Sequence, residues 1–551
     1  MSLTLRLGLR LALFALLGLA GCSDPGPRTP AADDTAPSDA NGDGAETPGD
    51  VPHSDGVPDE DAAPPGPGDT DDTAPGDTDG SVQDTQDDAA PPVDDASAVA
   101  DVETEGEDAH DAVDPSDPPL WLDAATLADG STLAVREVGR STSGIGLARV
   151  EHREVRYTSW QVTEGVLEPI EIEAHIATPA GRGPFPAVVV AHGLGGRAER
   201  DSAILLARRW GMVVIAYSGP GNGASEGRGS GQANSLWNTE PDPRGSWFWG
   251  HATAAARAIT LAETLPEVRS TFVAMTGYSA GAIATLHVNG FDTRLRAAVP
   301  ISGTGDLANA TAAGGWQNDL LREESLSADG PHFQRWLATL DPLLQAHTAH
   351  APTLLINGTQ DQFFPIDSTL RTFAALPGDH HRLLLIPNWD HGQFAMLLPH
   401  CGTFDNRTYA ARRVETAQTW WLRRHLTDLG AYHGPLAVPT VEVSSLGGFL
   451  LFSATWAGSQ SVHEVHVYAS ADRAWTFAGT RLDNRQGSRW WQLTAFPTST
   501  FPEANVVALA TVRVSLPGTE AGELWLTSLP RLPEDFVPRI RPIDPARCGE
   551  R

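Results

Sequence analysis

The feature that most constrains this chain is a regular alternation of apolar runs and helical stretches between Pro184 and His425. The apolar runs are continuous rather than alternating, which is typical of strands that are buried on both faces of a sheet. Since helical stretches separate them, the pattern predicts an α/β fold with a mostly parallel central sheet and helices on both faces. The predicted strands are 187–193, 212–217, 271–277, 296–302, 352–358 and 382–388, and the predicted helices are 201–210, 252–265, 280–288 and 415–426.

A Gly-x-Ser-x-Gly motif lies at one strand-to-helix junction, with its serine at Ser279. A serine there stands on a sharp turn at the carboxyl end of a strand, where the reactive groups of such sheets gather. A second match surrounds Ser225, but a polar, Gly-rich stretch follows it instead of a helix. This context favours Ser279 as the nucleophile.

A serine hydroxyl needs a base to remove its proton, and the base needs an acidic group to orient it. Asp361 and His391 follow two successive predicted strands, which gives the order Ser, Asp, His along the chain. Asp367, six residues further on, and Asp390, directly before the histidine, are rival acids. We predict a catalytic triad of Ser279, His391 and Asp361.

Acyl transfer also needs two convergent N–H donors that stabilise the oxyanion. The N–H of Ala280, directly after the predicted nucleophile, is one predicted donor. The N–H of Leu194, which follows the end of strand 187–193, is the second. The sequence contains no zinc-type ligand cluster and no dinucleotide fingerprint, so it implies no metal and no cofactor.

These motifs resemble those of α/β-hydrolases, in the broad group of dienelactone hydrolases, acetyl xylan esterases and prolyl oligopeptidases. The segment 357–391 is similar, more narrowly, to PhoPQ-activated pathogenicity-related proteins in its D-x-F-F, LPG and P-N-x-x-H elements. The resemblance extends over roughly 180–430 and implies the triad named above, with an all-β module after the hydrolase domain. This chain departs from that family directly after the serine, where Ala-Gly replaces the Lys-Arg that the family tends to have.

The first 119 residues contain a predicted signal peptide and a predicted tether. Residues 1–21 are typical of a signal peptide, with a cationic start and an apolar run that is too short for a permanent anchor. The run ends at Cys22 in a sequence that resembles the bacterial lipobox, and the resemblance implies that Cys22 is lipidated. By the same analogy, Ser23 after the cysteine favours retention of the protein in the outer membrane over the inner membrane. Residues 22–119 hold 29 carboxylates, one Arg and almost no large apolar side chains, so we predict a disordered tether. The net charge of −32 excludes nucleic acid as a natural partner.

Two globular regions follow the tether. We predict a hydrolase domain over 120–432 and a smaller all-β sandwich domain over 433–551, where apolar and polar residues alternate between turns. Cys401 and Cys548 are the cysteines other than Cys22, and they either pair as a disulfide in an oxidising envelope or stay free.

Two segments of the hydrolase domain are rich in aromatic residues. These are the loop 219–250 and a predicted insert at 306–345. Their aromatic side chains either form the core of an insertion or make a lid over Ser279.

Together these features predict a serine hydrolase that cleaves a carboxylic ester or amide in a small-molecule or polymer-borne substrate, anchored to the bacterial envelope through Cys22. An esterase is favoured over an acyl- or dipeptidyl-type serine peptidase, because the sequence offers no N-terminal propeller and no recognisable Glu pair for a substrate ammonium. The alternative from another class is a catalytically silent envelope binding or scaffold protein.

Overall fold

The computed structural model describes residues 119–391, 407–516 and 522–540. The predictions for the signal peptide, for the tether as far as residue 118, and for Cys22, Cys401 and Cys548 fall outside these residues. Among the helices that are described, none is long and apolar enough to cross a membrane.

A central sheet of nine strands organises the hydrolase region, in the order β1-β2-β3-β5-β4-β6-β7-β8-β9. From β5 onward in that order every pair of neighbours is parallel, whereas β1, β2, β3 and the β3–β5 junction are antiparallel. The strands are β1 (Arg136–Ser143), β2 (Val150–Thr163), β3 (Val166–Pro179), β4 (Phe185–Ala191), β5 (Val213–Tyr217), β6 (Val268–Tyr278), β7 (Leu295–Ile301), β8 (Leu354–Gln360) and β9 (Arg382–Asp390). This mostly parallel sheet confirms the predicted α/β-hydrolase fold class.

Helices cover both faces of the sheet. They are α1 (Ala124–Ala128), α2 (Arg200–Trp210), α3 (Trp247–Thr264), α4 (Ala280–Phe291), α5 (Leu307–Ala312), α6 (Gln317–Glu323), α7 (Pro331–Leu340), α8 (Pro342–Ala346), α9 (Ile366–Ala374) and α10 (Arg407–Leu426). Successive residues of a strand point to opposite faces, and β4 shows this directly. Val188 packs in the core that contains α2 and α10, whereas Val189 packs in the core that contains α3 and α4.

The first three strands of the sheet were not predicted. The buried residues of β2 lie on one side of the sheet at its start, at Val150, and on the other side in its middle, at Val155 and Tyr157, with polar residues between them. It therefore lacks the continuous apolar run that marked the parallel strands. The predicted ends of β8 and β9 also differ, since both strands continue for two further residues. As a result, Asp361 and His391 follow their strands directly.

Two four-stranded antiparallel sheets follow the hydrolase sheet, with orders β10-β11-β15-β14 and β13-β12-β16-β17. Their strands are β10 (Thr440–Leu446), β11 (Phe449–Thr455), β12 (Val462–Ser470), β13 (Ala478–Arg481), β14 (Asn484–Gln486), β15 (Arg489–Pro497), β16 (Val507–Ser515) and β17 (Glu523–Thr527). Phe452 of one sheet and Val467 of the other are both fully buried in a shared core, so the two sheets form a sandwich.

The sandwich packs against the edge of the hydrolase sheet. The Thr527 hydroxyl of β17 accepts the N–H of Leu385 at 3.1 Å and donates to the carbonyl of Leu383 at 3.0 Å, both in β9. The side chain of Asn388, also in β9, bonds both backbone groups of Phe477, at 2.8 Å to its N–H and 2.7 Å to its carbonyl. The all-β region therefore supports the strand that leads to His391.

Candidate active site

Ser279 occupies a strained turn between β6 and α4. Its φ of 57° and ψ of −119° lie in a region that non-glycine residues rarely adopt. The backbone holds this conformation on both sides. The Ser279 N–H donates to the carbonyl of Ile301 in β7 at 3.0 Å, and its own carbonyl accepts the N–H groups of the first turn of α4. Strain of this kind costs on the order of 1–3 kcal/mol and is found at functional turns.

The two glycines of the motif are required because other backbone atoms lie too close to them for a side chain to fit. A Cβ on Gly277 would overlap the backbone of Gly281, and a Cβ on Gly281 would overlap the carbonyl of Ala191 in β4. The motif therefore lets α4 start directly against the sheet, which presents the serine side chain at the carboxyl edge.

The structure brings the three predicted side chains together in one hydrogen-bonded chain. Ser279 Oγ lies 3.0 Å from His391 Nε2. His391 Nδ1 lies 2.9 Å from Asp361 Oδ2 and 3.0 Å from Asp361 Oδ1. His391 and Asp361 are almost fully buried, and Ser279 is 8% exposed.

Asp361 determines which nitrogen of His391 carries the proton. A carboxylate only accepts hydrogen bonds, so the Nδ1 that faces it carries the hydrogen. Nε2 then has a free lone pair that faces Ser279 Oγ and can accept its proton. Two backbone N–H groups, of Phe363 and Phe364, also donate to Asp361 Oδ1 at 2.9 Å each and hold the carboxylate in its orientation toward His391.

Neighbours of the triad hold the backbone and ring of His391 in place. Gln362 Oε1 accepts the His391 N–H at 3.0 Å, and the Tyr278 hydroxyl donates to the His391 carbonyl. The Phe363 ring lies 4.6 Å from the imidazole, centroid to centroid, and the Phe364 ring 5.6 Å. Sequence reasoning did not assign these supporting roles, because adjacency to a catalytic residue does not show where a side chain bonds.

The rival acids are placed differently. Asp367 lies in α9, where its Oδ2 accepts hydrogen bonds from Asn309 at 2.8 Å and from Arg371 at 3.3 Å. Asp390 is buried at the end of β9. Neither contacts the imidazole within hydrogen-bond distance in the described residues, where His391 Nδ1 bonds Asp361. Ser225 also has another partner set, since its hydroxyl donates to the carbonyl of Ser218 and accepts the N–H of Glu173.

The predicted oxyanion donors both lie beside the serine. Ala280 is the first residue of α4, and the turn that contains Leu194 begins at Gly193, where an added Cβ would lie 3.2 Å from Ser279 Cβ. Among the described residues, neither the N–H of Leu194 nor that of Ala280 donates a hydrogen bond. Their role in binding an oxyanion remains a proposal.

His192 braces this turn. Its Nε2 accepts the N–H of Gly219 at 2.8 Å, so its Nδ1 carries the hydrogen and donates to the carbonyl of Gly193 at 2.7 Å. Burial lowers the pKa of His192 to about 4, so the ring stays neutral at pH 7. His251 lies 3.3 Å from the His192 carbonyl and stacks on Trp247, with ring centroids 4.5 Å apart.

The aromatic residues of the loop 219–250 and of the insert form one buried cluster. Trp237 and Trp336 contact edge to face at 5.1 Å, and both are fully buried. Trp316 contacts Phe363 at 5.4 Å, so the cluster reaches the ring that packs on His391. The insert consists of α5, α6, α7 and α8, and its aromatic side chains act as core next to the site.

The geometry is that of an α/β-hydrolase. Its strand order, the strained serine at the β6–α4 turn, and an acid and a histidine directly after β8 and β9 are the features of that class. In the described residues, no group of three or more His, Cys, Asp or Glu side chains is placed to hold a metal ion.

Comparison with known protein families gives one match. Residues 246–414 match the sequence model of a family described as PhoPQ-activated pathogenicity-related protein, which confirms the resemblance predicted from segment 357–391. No curated protein matches the sequence.

Similar solved structures include two acetyl xylan esterases. One, from Thermoanaerobacterium sp. JW/SL YS485, is 17% identical with a TM-score of 0.40, over 48% of this chain and 86% of that one. The other, from Paenibacillus sp. R4, is 19% identical with a TM-score of 0.42, over 53% and 92%. An acylaminoacyl peptidase from Pyrococcus horikoshii is 14% identical with a TM-score of 0.38, over 53% and 50%. The fold class of this chain rests on its own strand order.

Proposed function

We propose that this protein is a serine hydrolase that cleaves a carboxylic ester through an acyl-enzyme. The observation that carries the proposal is the continuous chain of hydrogen bonds from Ser279 through His391 to Asp361, at 3.0 and 2.9 Å, on a strained turn. A fold and a turn alone would not give reactivity, whereas an oriented base beside a serine does.

The reaction has two halves. Ser279 Oγ attacks the carbonyl carbon while its proton passes to His391 Nε2, and the negative oxygen is stabilised by the N–H groups of Leu194 and Ala280. The carbon–oxygen bond to the leaving alcohol then breaks, and the alcohol takes the proton from Nε2. Water, deprotonated by the same nitrogen, attacks the acyl-enzyme and releases the acid with regeneration of Ser279.

The first test is turnover of short-chain nitrophenyl esters by the full chain and by Ser279→Ala. The proposal expects a burst of nitrophenol followed by steady turnover in the wild type, and neither in the variant. Equal turnover in both proteins would contradict it. If well-folded wild type is inert toward esters and amides, the catalytically silent envelope scaffold becomes the better account.

Amide cleavage by a peptidase of acyl- or dipeptidyl type is the second candidate, and one feature that sequence reasoning missed, a pair of glutamates, supports it. Glu323 and Glu324 are adjacent carboxylates at the end of α6, about 10 Å along the helix from Trp316, whose N–H donates to the carbonyl of Gln362 beside the triad. Such a pair has the chemistry to bind a substrate ammonium. Burial, however, raises the pKa of Glu324 to about 7, so its charge is only partial at neutral pH.

The two candidates are separated by comparing two substrates, an acetyl ester and an aminoacyl naphthylamide that has a free amino group. An esterase hydrolyses the acetyl ester faster than the aminoacyl naphthylamide. A peptidase prefers the latter and loses that preference in Glu324→Gln, while its ester turnover stays unchanged.

We further propose that the protein is anchored to the bacterial envelope through a lipid on Cys22, and that its substrate reaches it there. The sequence of residues 1–22 supports this. Metabolic labelling with an alkyne-bearing fatty acid should mark the wild type and leave Cys22→Ser unmarked. Equal labelling of the two proteins would contradict the anchor.

A further inference from the structure

A cavity lies away from Ser279, between the start of β9, the helix α10 and the strand β17 of the sandwich. Its volume is about 410 Å³, within the range of small-molecule sites. Protein interiors are normally packed without spaces of this size. Arg382, in its wall, is nine residues before His391 along one strand, which places it about 30 Å from the triad. The cavity is therefore separate from the site described above.

The walls of this cavity are mainly apolar. They include Trp420 from α10, Trp525 and Leu526 from β17, and Phe373 from α9. The rim also exposes apolar surface, since Leu529 is 52% exposed. The lining is thus suited to an alkyl chain.

Among the described residues that line the wall, Arg382 is the one arginine or lysine. Its Nη1 donates to the carbonyls of Asp379 at 2.9 Å and His381 at 2.6 Å, and its Nη2 lies 3.4 Å from the carbonyl of Leu436. Among the described residues it forms no ion pair within 4.0 Å, although the exposed carboxylate of Asp379, at the mouth, attracts the guanidinium at longer range. His381, also in the wall, bonds Pro377 and Thr353 and is neutral, because burial lowers its pKa to about 4.

A second guanidinium adds to the positive charge near this wall. Within the described part of the chain, Arg424 donates to no groups other than the carbonyls of Tyr432 and Gly434, at 2.8 and 2.9 Å, and it lies over the Trp420 ring at 5.5 Å. Burial lowers the pKa of both Arg382 and Arg424, which means that their charges are poorly solvated. Half-buried cations with only carbonyl partners favour an anion nearby.

The remaining donors of Arg382 specify the kind of anion. Because Nη1 bonds two carbonyls and Nη2 bonds one, the Nε hydrogen and the second hydrogen of Nη2, which lie on one edge of the guanidinium, are left for a ligand. That edge of a guanidinium matches the two oxygens of a carboxylate. We propose that the cavity binds an amphiphilic monocarboxylate, a fatty acid of medium chain length, with its tail along Trp420 and Leu526 and its carboxylate against Arg382.

The test is calorimetric titration of decanoate and of decanol at pH 7.5, with the full chain carrying Cys22→Ser and purified without detergent. Decanoate should bind at one site and at least about ten-fold more tightly than decanol, since a charge-assisted bond is worth more than a neutral one. Arg382→Gln should remove this difference and leave decanol binding within about three-fold.

Two further variants locate the ligand and keep the proposal testable if Arg382→Gln fails to fold. Ala374 is exposed on α9 and lines the cavity, so Ala374→Phe should weaken both ligands at least ten-fold while nitrophenyl ester turnover is unchanged. Ser279→Ala should bind decanoate like the parent protein. The proposal is overturned by absent or non-saturable binding, by equal affinity for the two ligands, by binding that Ala374→Phe leaves intact, or by loss of binding in Ser279→Ala. A dimer that Ala374→Phe dissociates would also overturn it, because the cavity would then hold a second copy of the chain.

Discussion

Replacement of Asp361 by Asn tests whether this carboxylate sets the protonated nitrogen of His391, because it exchanges one carboxylate oxygen for an NH2 group. Asp361 Oδ1 accepts two backbone N–H groups, from Phe363 and Phe364, and Oδ2 faces His391 Nδ1 at 2.9 Å. In Asp361→Asn the amide oxygen stays on the two N–H donors, because the reverse placement would lose two hydrogen bonds at about 1–3 kcal/mol each. The amide NH2 therefore faces Nδ1 and forces the hydrogen of His391 onto Nε2.

The magnitude follows from that change of tautomer. An Nε2 that carries hydrogen cannot accept the proton of Ser279, so the general base is lost while the shape of the site is kept. The corresponding substitution in the well-studied serine protease triad lowers kcat about 10⁴-fold, which is about 5 kcal/mol of transition-state stabilisation. We expect a loss of about this size in kcat, with KM little changed.

The assay is steady-state hydrolysis of nitrophenyl acetate, with Asp367→Asn as the matched control. Asp367 is also buried but bonds Asn309 and Arg371 instead of the imidazole, so that variant should keep activity within a few-fold if it folds. Circular dichroism establishes folding of both proteins. Retention of more than a tenth of kcat by Asp361→Asn would refute the reasoning.

Three further predictions concern stability and are measured by urea unfolding. Gly281→Ala should lower the free energy of unfolding by about 1–3 kcal/mol, because the new Cβ overlaps the backbone of β4. The control Gly430→Ala, which has open space around the new Cβ, should change it little. Equal effects of the two substitutions would contradict this prediction. Asn388→Gly tolerates the φ of 57° but removes both hydrogen bonds to Phe477, so it should lower the free energy of unfolding by about 2 kcal/mol. An unchanged free energy of unfolding would show that these bonds from the sandwich do not stabilise β9. Since burial lowers the pKa of His192 from 6.5 to about 4, the unfolded chain binds a proton in that window that the folded chain does not. The free energy of unfolding should therefore fall as pH drops from 6.5 to 4, and less in His192→Gln; identical pH profiles would count against it.

The parallel core of the fold could be predicted from the sequence, because buried parallel strands are continuous apolar runs. The turn at Ser279 could also be predicted, since its glycines, its strand and its helix are all local in sequence. The antiparallel strands β1, β2 and β3 could not, because their burial depends on what packs against them. Their alternating pattern fits an exposed hairpin as well as a sheet edge.

The residues that hold the triad in place could not be predicted for a related reason, because their partners are distant in the sequence. Gln362 lies shortly after one predicted strand and Asn388 is the last residue of another, and each bonds a residue that is distant in the sequence. Nothing in residues 357–391 indicates that the backbone of Phe477 is the partner of Asn388. The choice between core and lid for Trp237 and Trp336 likewise depended on contacts between two segments about 100 residues apart.

The central claim is that Ser279 is an activated nucleophile, and covalent labelling tests it most directly. The purified full chain is treated with a fluorophosphonate probe, digested, and analysed by mass spectrometry for the modified residue. The account predicts one adduct on Ser279, which disappears in Ser279→Ala and forms far more slowly in Asp361→Asn. A folded wild type that stays unlabelled, or an adduct on Ser225 instead, would contradict it.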